Sequence, residues 1–492
     1  MKRLTLYTIG ILGLMATSCE QSIDVDPTSV LTSQTFWKTE GDALGALNGM
    51  YVNLRSEAIQ NLFILGEGRS QTMAPALAGT VGLDIFYLNS LTSGTTTVNW
   101  GGLYKVIDGA NLIIKYVPDI KIASAASKNR ILAQAYTMRA YIYFVMARSW
   151  GEVPMRLTPT EGYDPLAIQV PKAPAADIFK QIKSDLDQAV ALFPDNTFET
   201  GRNRWSLAAA NTLKAEVYLW TARQLNGSTA DYQTAMTALE AVQKASVGLL
   251  PSFSNVFSYE NKGNNEIIMA SRFQVLESDN NYYQYMYLNS SNNPSAITQA
   301  TKDVIGVIGT GNAGNSIMQV AASVRSQFSN DDQRKSGTFY EVKSTTNDFI
   351  TSIVAAKGSG TVVSGVRHFK NDVMLYRYAD VLLMKAEAKN GLNLDPTPEI
   401  TEVRNRAYGT TASTHQFVKG SFAENDAAIL KERLLEFCTE GKYWWDLRRF
   451  GKVFDLVPSL QSRSADSYLL LFPIGSAVIS LEPLVVENKG WQ

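Results

Sequence analysis

The carboxylates of the segment 432–452 have a spacing that could serve catalysis. Glu432, Glu436 and Glu440 recur every four residues, so on a helix they would share one face. Such a set has two interpretations: general acid and base groups, or carboxylates bound in ion pairs with the arginines of the same segment. The aromatic run Tyr443–Trp445 favours the ion-pair interpretation, because tryptophans bury a large surface and the charges would close the edge of that core.

A tyrosine-rich stretch is the second candidate. Residues 280–287 read NNYYQYMY. In an extended strand Tyr283, Tyr285 and Tyr287 would lie on one face, because strand side chains alternate. Exposed, these rings would stack on sugars while their hydroxyls form hydrogen bonds. Facing inward, they would fill a core, and the sequence leaves both interpretations open.

A glycine motif suggests a third chemistry. Residues 309–314 read GTGNAG, a literal G-x-G-x-x-G, and Asp331 follows at a distance suited to a ribose contact. The alternating strands and helices of a dinucleotide-binding fold do not surround it. We therefore interpret the segment as a Gly-rich loop and expect no cofactor.

Other catalytic and metal signals are weak. The chain has no G-x-S-x-G sequence, and its two cysteines, Cys19 and Cys438, cannot form a disulfide framework. Its two histidines, His368 and His415, argue against a His-rich metal site. Carboxylates are numerous, so a glycosidase pair stays open.

Composition excludes one class of partner. The 492 residues carry 45 Lys and Arg against 46 Asp and Glu, a net charge of −1. A near-neutral chain gives no electrostatic case for nucleic acid binding. Aromatic residues make up 10% of the chain, a supply that serves either core packing or sugar binding.

The N-terminus has the pattern of an export signal. Two basic residues, an apolar run over 4–15 and small residues up to Ser18 precede Cys19. This order predicts a signal peptide over 1–18, an acylated Cys19 and a polar tether over 19–34; secretion without a lipid is the alternative. No later segment has eighteen consecutive apolar residues, so we expect no membrane-spanning helix.

The rest of the chain is mainly helical by its periodicity. Helix pairs about a tetratricopeptide length apart predict stacked helix-turn-helix units. Two stretches, about 60–100 and 251–365, lose the helical period and are expected to be long loops that carry ligand contacts. The predicted helices are 42–55, 100–117, 130–150, 177–192, the part of 201–224 that follows Trp205, 231–245, 372–390 and 400–408.

Residues 432–452, ERLLEFCTEGKYWWDLRRFGK, closely resemble the C-terminal signature of the SusD/RagB family, ERRxELxFEGxRWFDLRR. Phe437-Cys438 departs from it. Further matches lie at 138–154, in the helix over 372–390 and in the tail 472–491. The resemblance implies a mainly α fold: one domain over 35–492, a tetratricopeptide-like scaffold with long irregular loops and a few short strands.

The same resemblance implies a function. Members are outer-membrane lipoproteins that capture glycans beside a SusC-like TonB-dependent transporter, so we expect a binding protein with no catalytic residue. The alternatives are a peptide-binding scaffold lipoprotein of such an uptake complex and a glycosidase. The predicted glycan contacts are Asp84, Tyr87, Trp100, Tyr283 and Tyr285.

Overall fold

A computed structural model describes most of the chain from Phe36 to the C-terminus. The described residues are 36–79, 82–162, 164, 168–288, 297–306, 308, 314–346 and 350–492. The predicted signal, Cys19, the tether and residues 309–313 of the Gly-rich loop lie outside them.

Helices of 12 residues or more form the frame. They are α1 Glu40–Ala58, α2 Gly101–Tyr116, α3 Ala125–Trp150, α4 Ala175–Leu192, α5 Leu207–Gln224, α6 Thr229–Gln243, α7 Tyr378–Gly391, α8 Thr397–Tyr408 and α9 Phe422–Phe437. Neighbours in sequence pack together, with α1 on α2, α3 on α4, α5 on α6, and both α8 and α9 on α7. Contacts of α2 with α3, of α4 with α5 and of α6 with α7 join the pairs into one array. The predicted helical-pair scaffold is confirmed.

Local signals explain the ends of the longest helix, α3. The Ser124 hydroxyl accepts a hydrogen bond from the Ser127 N–H at 3.2 Å and caps its first turn. Gly151 ends it with a φ of +76°, a conformation that glycine adopts without steric cost. From Ala133 to Trp150 nearly every side chain is buried, so α3 is a central element with neighbours on all sides.

The strands are short and pair in twos. The described residues contain β1 Met73–Pro75, β2 Val153–Pro154, β3 Lys172–Ala173, β4 Ile267–Ser271, β5 Met318–Val320, β6 Phe339–Lys343, β7 Ile350–Ala355, β8 Thr361–Val363, β9 Val366–His368 and β10 Val373–Arg377. They form antiparallel pairs β1–β5, β2–β3, β4–β10, β6–β7 and β8–β9. Five of these ten strands, β4 to β8, lie within the stretch 251–365, which is therefore more ordered than a long loop.

One predicted helix is wrong at its start. Residues 372–390 were expected to be helical throughout, but Val373–Arg377 is β10, and the helix begins at Tyr378. All five residues of β10 are buried against β4, which is buried along its whole length. This tertiary pairing overrides the local helical period.

Short helical pieces fill the segments between. They are Asn61–Phe63, the π-helix Ile64–Gly68, Asp84–Tyr87, Val117–Asp119, Phe253–Val256, Tyr259–Asn261, Tyr282–Met286, Gln299–Ile305, Ala322–Arg325, Gln333–Thr338, Gly409–Thr414, Tyr443–Arg449, Val453–Leu456, Pro458–Leu460, Ser467–Leu470 and Ser476–Leu481. The segment 60–100 thus contains two short α-helices, a π-helix and a strand, and is less irregular than expected. Within the described residues, no helix combines the length and the apolarity that crossing a bilayer requires.

Candidate functional site

The carboxylates of the C-terminal segment are buried in ion pairs. Glu432 accepts from Arg334 at 2.5 Å, and Glu436 accepts from Arg377 at 2.5 Å. Glu440 accepts from Arg377 at 2.9 Å and from the Lys357 ammonium at 2.6 Å. The carboxylates are bound in ion pairs, as the structural interpretation held, but their partners come from other segments and not from the arginines of 432–452. Each carboxylate neutralises a buried cation, which leaves it poorly placed for proton transfer to a ligand.

Burial and these cations act in opposite directions on the acidity of the network. Burial alone would raise the pKa of Glu440, but Arg377 and Lys357 more than offset it and lower the pKa to about 2. The pKa of Glu436 is also held below its usual range, because its cations outweigh the same burial penalty. Both groups therefore stay charged at neutral pH.

The three carboxylates were expected to share one helix face, but they do not. Helix α9 ends at Phe437, before Glu440, and the chain turns through Thr439 and Gly441, whose φ angles are +70° and +74°. A side chain on Gly441 would meet the Phe63 backbone at 3.2 Å. This close approach fixes the turn, and Glu440 reaches the network from it.

Cys438 is also part of the hydrophobic core. Its side chain is fully buried, and burial raises the pKa of the thiol far above its ordinary value. A thiol that stays protonated and inaccessible is a poor nucleophile.

The tyrosine stretch is not a strand, so the extended conformation considered for it is wrong. Residues Tyr282–Met286 form a 3-10 helix, which Asn281 caps by accepting from the Tyr283 N–H at 3.1 Å. The Tyr283 ring is 3% exposed and lies 4.4 Å from the Tyr282 ring. Tyr287 is buried and donates to the Ile305 carbonyl at 2.7 Å. These rings pack the core, as the alternative interpretation held.

The five predicted glycan contacts do not come together. Tyr285 is half-buried and donates to the Gln60 side chain at 3.1 Å. Asp84 and Tyr87 share the short helix over 84–87, where Asp84 is partly exposed and the Tyr87 side chain is 4% exposed. Of the five, Trp100 alone lines the cavity described next.

A cavity of about 530 Å³ opens at the N-terminus of α2. Three segments far apart in sequence form its walls: the loop before α2 with the first turns of that helix, residues 156–160, and the C-terminal piece 475–482. The lining residues are Ser93, Gly94, Thr96, Thr97, Asn99, Trp100, Gly101, Tyr104, Ile107, Asp108, Asn111, Arg156, Thr158, Thr160, Gly475, Ser476, Ala477, Val478, Leu481 and Glu482. We call this the Trp100 cavity.

Aromatic rings form its inner wall. Trp100 is 2% exposed and packs edge-on against Trp150 at 5.6 Å and against Tyr104 at 6.2 Å. Its indole N–H has no hydrogen-bond partner among the described residues. Tyr104 is half-buried, and its hydroxyl donates to the Pro154 carbonyl at 2.5 Å, which fixes the ring. The cavity therefore presents a rigid aromatic surface.

Polar side chains hold the opposite walls. Asp108 accepts from the Thr160 N–H at 2.8 Å, and the Asn111 amide donates to the Arg156 carbonyl at 3.1 Å. The Arg156 guanidinium pairs with Glu482 at 3.0 Å and ties residues 156–160 to the C-terminal piece. Apart from Arg156 and Glu482, whose opposite charges cancel, Asp108 is the one charged residue of the lining. Hydroxyls and amides supply the other side-chain hydrogen-bonding groups.

The sequence interpretation missed most of these residues. Tyr104 lies one helical turn after Trp100, a spacing that places both rings on one face. That signal was available, whereas the pairing of Arg156 with Glu482 spans 326 positions and left no local pattern. Within the described part of the chain, no three His, Cys, Asp or Glu residues are grouped to hold a metal ion.

Comparisons with known proteins identify the family. The SusD family profile matches residues 275–469, and a profile described as starch-binding and associating with the outer membrane matches residues 47–219. A SusD superfamily protein from Bacteroides vulgatus is 30% identical, over 93% of this chain and all of that one, with a TM-score of 0.79. The chain belongs to the SusD family.

Other SusD-family relatives extend along the whole chain. NanU of B. fragilis is 34% identical, with a TM-score of 0.84 over 95% of this chain and all of its own. SusD-like protein P38 of Formosa agariphila is 24% identical over 99% of this chain and 97% of its own. The tetratricopeptide-like helical fold is thus shared with NanU over 95% of this chain.

Proposed function

We propose that this protein binds a glycan in the Trp100 cavity, without cleaving it, and passes it to a SusC-like TonB-dependent transporter in the outer membrane. The cavity itself carries the proposal. Its volume of about 530 Å³ lies within the range of small-molecule sites. Membership of the SusD family, whose profiles include a starch-binding description, supports a saccharide as the ligand.

The lining suits a sugar ring. Carbohydrates have apolar C–H faces that pack on aromatic rings and hydroxyls that exchange hydrogen bonds with amides and hydroxyls. Tyr104 offers the half-exposed ring, while Val478 and Leu481 extend the apolar surface. Asn99 and Thr97, both exposed on the rim, supply polar groups.

The acids of the lining support binding rather than hydrolysis. A glycosidase needs a carboxyl group that protonates the leaving oxygen and a second that acts as base or nucleophile. The lining holds Asp108 and Glu482, and both already have partners. Asp108 accepts a backbone N–H, and Glu482 neutralises Arg156. Asp108 and Glu482 therefore do not form a free acid–base pair.

The other four predicted contacts would touch only a ligand that extends beyond this cavity, or no ligand at all. Asp84, Tyr87, Tyr283 and Tyr285 do not line the Trp100 cavity. We retain Trp100 as part of the site and propose the partly exposed Asp84 and Tyr285 as contacts for a glycan that reaches beyond it.

The N-terminal segment supports the proposed location at the outer membrane. An acylated Cys19 would hold the protein on the outer membrane, because each buried acyl CH₂ contributes about 0.8 kcal/mol. A polar tether over 19–34 would leave the folded domain free to contact the transporter. Cys19→Ala should release the protein from the membrane fraction, and continued membrane association of this variant would contradict the lipid anchor. A SusC-like transporter should co-purify with the wild type, and its absence would contradict the proposed transporter contact.

Calorimetric titration tests the binding proposal. The purified protein would be titrated with neutral oligosaccharides and with peptides, and the recovered saccharide assayed for new reducing ends. Ala477→Trp, which adds an indole to the lining of the cavity, should weaken saccharide binding at least tenfold. Ala230→Trp is the matched control, since both alanines are exposed and second in their helices. Binding of peptides alone would favour the scaffold alternative, and new reducing ends would favour the glycosidase.

A further inference from the structure

We infer that a second groove, separate from the Trp100 cavity, binds an acidic sugar through the carboxylate or sulfate group that the sugar carries. The groove has a volume of about 440 Å³. It lies between α1, the segment before α5 and the residues that follow β4. Its lining residues are Asn48, Tyr51, Val52, Leu54, Arg55, Asn203, Arg204, Ser271, Arg272 and Glu277. None of them lines the Trp100 cavity.

The groove has an excess of positive charge. Three arginines, Arg55, Arg204 and Arg272, face one carboxylate, Glu277, so the lining carries a net charge of +2. The protein as a whole is near neutral, at −1. A local positive field on a neutral chain attracts anions to that place.

Glu277 engages two of the arginines. Its carboxylate accepts from Arg55 at 2.5 Å and also pairs with Arg272. It thereby fixes the two guanidiniums side by side. Arg204 takes no part in this cluster and has no carboxylate within ion-pair distance among the described residues.

Arg204 is held ready by its neighbours. Its guanidinium lies over the Tyr51 ring, 4.4 Å from the centroid. The Tyr51 hydroxyl donates to Gln134 at 2.7 Å and accepts from the Trp205 N–H at 2.8 Å, so two hydrogen bonds hold the ring in place. Asn48 accepts one further bond from Arg204. The cation is therefore positioned while most of its N–H groups have no acceptor among the residues that the structure describes.

This arrangement matches an oxyanion on a larger ligand. A guanidinium binds carboxylate or sulfate oxygens through two parallel N–H donors, and stacking on a ring lowers the entropy lost on binding. The groove is far larger than a single ion, and the Asn48 and Asn203 amides lie beside the arginines to bond sugar hydroxyls. The chemistry therefore points to an acidic saccharide.

The test is titration calorimetry with charged and neutral versions of one ligand. The probes are trigalacturonate, the same trisaccharide after reduction of its carboxyl groups, a sulfated chondroitin disaccharide and inorganic sulfate. At least one acidic saccharide should bind, more weakly as salt is raised, while the carboxyl-reduced trisaccharide should not bind this groove.

Variants locate the binding. Arg204→Gln should weaken the acidic saccharide at least tenfold, and Arg463→Gln, which removes an exposed charge elsewhere, should leave it unchanged. Glu277→Gln should tighten binding, because it removes the one opposing carboxylate. Ala477→Trp should not affect it, which separates this site from the proposed glycan cavity. Absence of acidic-saccharide binding, equal binding by Arg204→Gln, or equal affinity for inorganic sulfate would each overturn the inference.

Discussion

Arg377 and Glu440 form a bidentate pair inside the protein. The Arg377 Nε and Nη2 groups donate to the two oxygens of Glu440 at 3.0 and 2.9 Å. Arg377 ends β10, and Glu440 follows α9, so the pair joins two elements that are 63 positions apart. Because both side chains are buried, the C-terminal signature segment serves mainly to hold the scaffold together.

Breaking this pair should be costly. Arg377→Met leaves Glu436 and Glu440 buried without their shared cation, so we expect a loss of about 3–5 kcal/mol in the free energy of unfolding. Urea titration followed by circular dichroism measures it. Lys452→Met breaks an exposed pair with Asp455 and should cost less than about 1 kcal/mol. A loss of similar size in both variants would contradict a structural role for the network.

The network should also make the fold sensitive to acid. The pKa of Glu440 is lowered to about 2 from an ordinary 4.5. A lowered folded-state pKa contributes stability above the unfolded pKa, and that stability is lost as pH falls through the window from 4.5 to about 2. Unfolding free energies measured at stepwise lower pH should fall in that window, and less steeply in Glu440→Gln. Equal slopes for both proteins would refute this assignment.

Trp100 should be as important for stability as for binding. It is 2% exposed and packs on Trp150, so Trp100→Ala should cost about 3–5 kcal/mol through the cavity it leaves. Trp100→Phe keeps a ring, and the buried indole N–H that it removes has no partner among the described residues. We expect Trp100→Phe to be the more stable variant by thermal denaturation. The reverse order would show that the ring is not packed as described.

Tyr104 should separate ring contact from hydroxyl contact. Its hydroxyl is already engaged with the Pro154 carbonyl, so Tyr104→Phe should leave saccharide affinity nearly unchanged and lower stability by about 1 kcal/mol. Tyr104→Ala removes the ring and should weaken binding by about 1 kcal/mol or more, roughly fivefold in Kd. Calorimetry compares the two variants, and equal losses would argue against stacking on this ring.

The sequence predicted elements whose signals are local. The end of α3 at Trp150 follows from Gly151, but the predicted start at 130 was wrong, because the helix begins at Ala125 after the Ser124 cap. Ion pairing of Glu432 and Glu436 was predicted from the crowding of charges beside tryptophans, but their partners Arg334 and Arg377 come from other segments. It did not predict β10, because a strand of five buried residues beside a helix shows no separate period.

Of the five predicted glycan contacts, Trp100 is the one that lines the cavity proposed as the site. Trp100 lines the cavity, but the exposed face expected of Tyr283 and Tyr285 requires a strand that is not there, because Asn281 caps a 3-10 helix instead. The opposite wall depends on the contact of Arg156 with Glu482. Contacts across such a distance in sequence arise from tertiary packing, which a single sequence does not display.

A crystal structure of the protein with its tightest-binding neutral oligosaccharide tests the central claim most directly. The account predicts an intact saccharide in the Trp100 cavity, with a sugar face on Tyr104 and hydroxyls bonded to side chains such as Asn99. A saccharide bound elsewhere with this cavity empty, or one found cleaved, would contradict it.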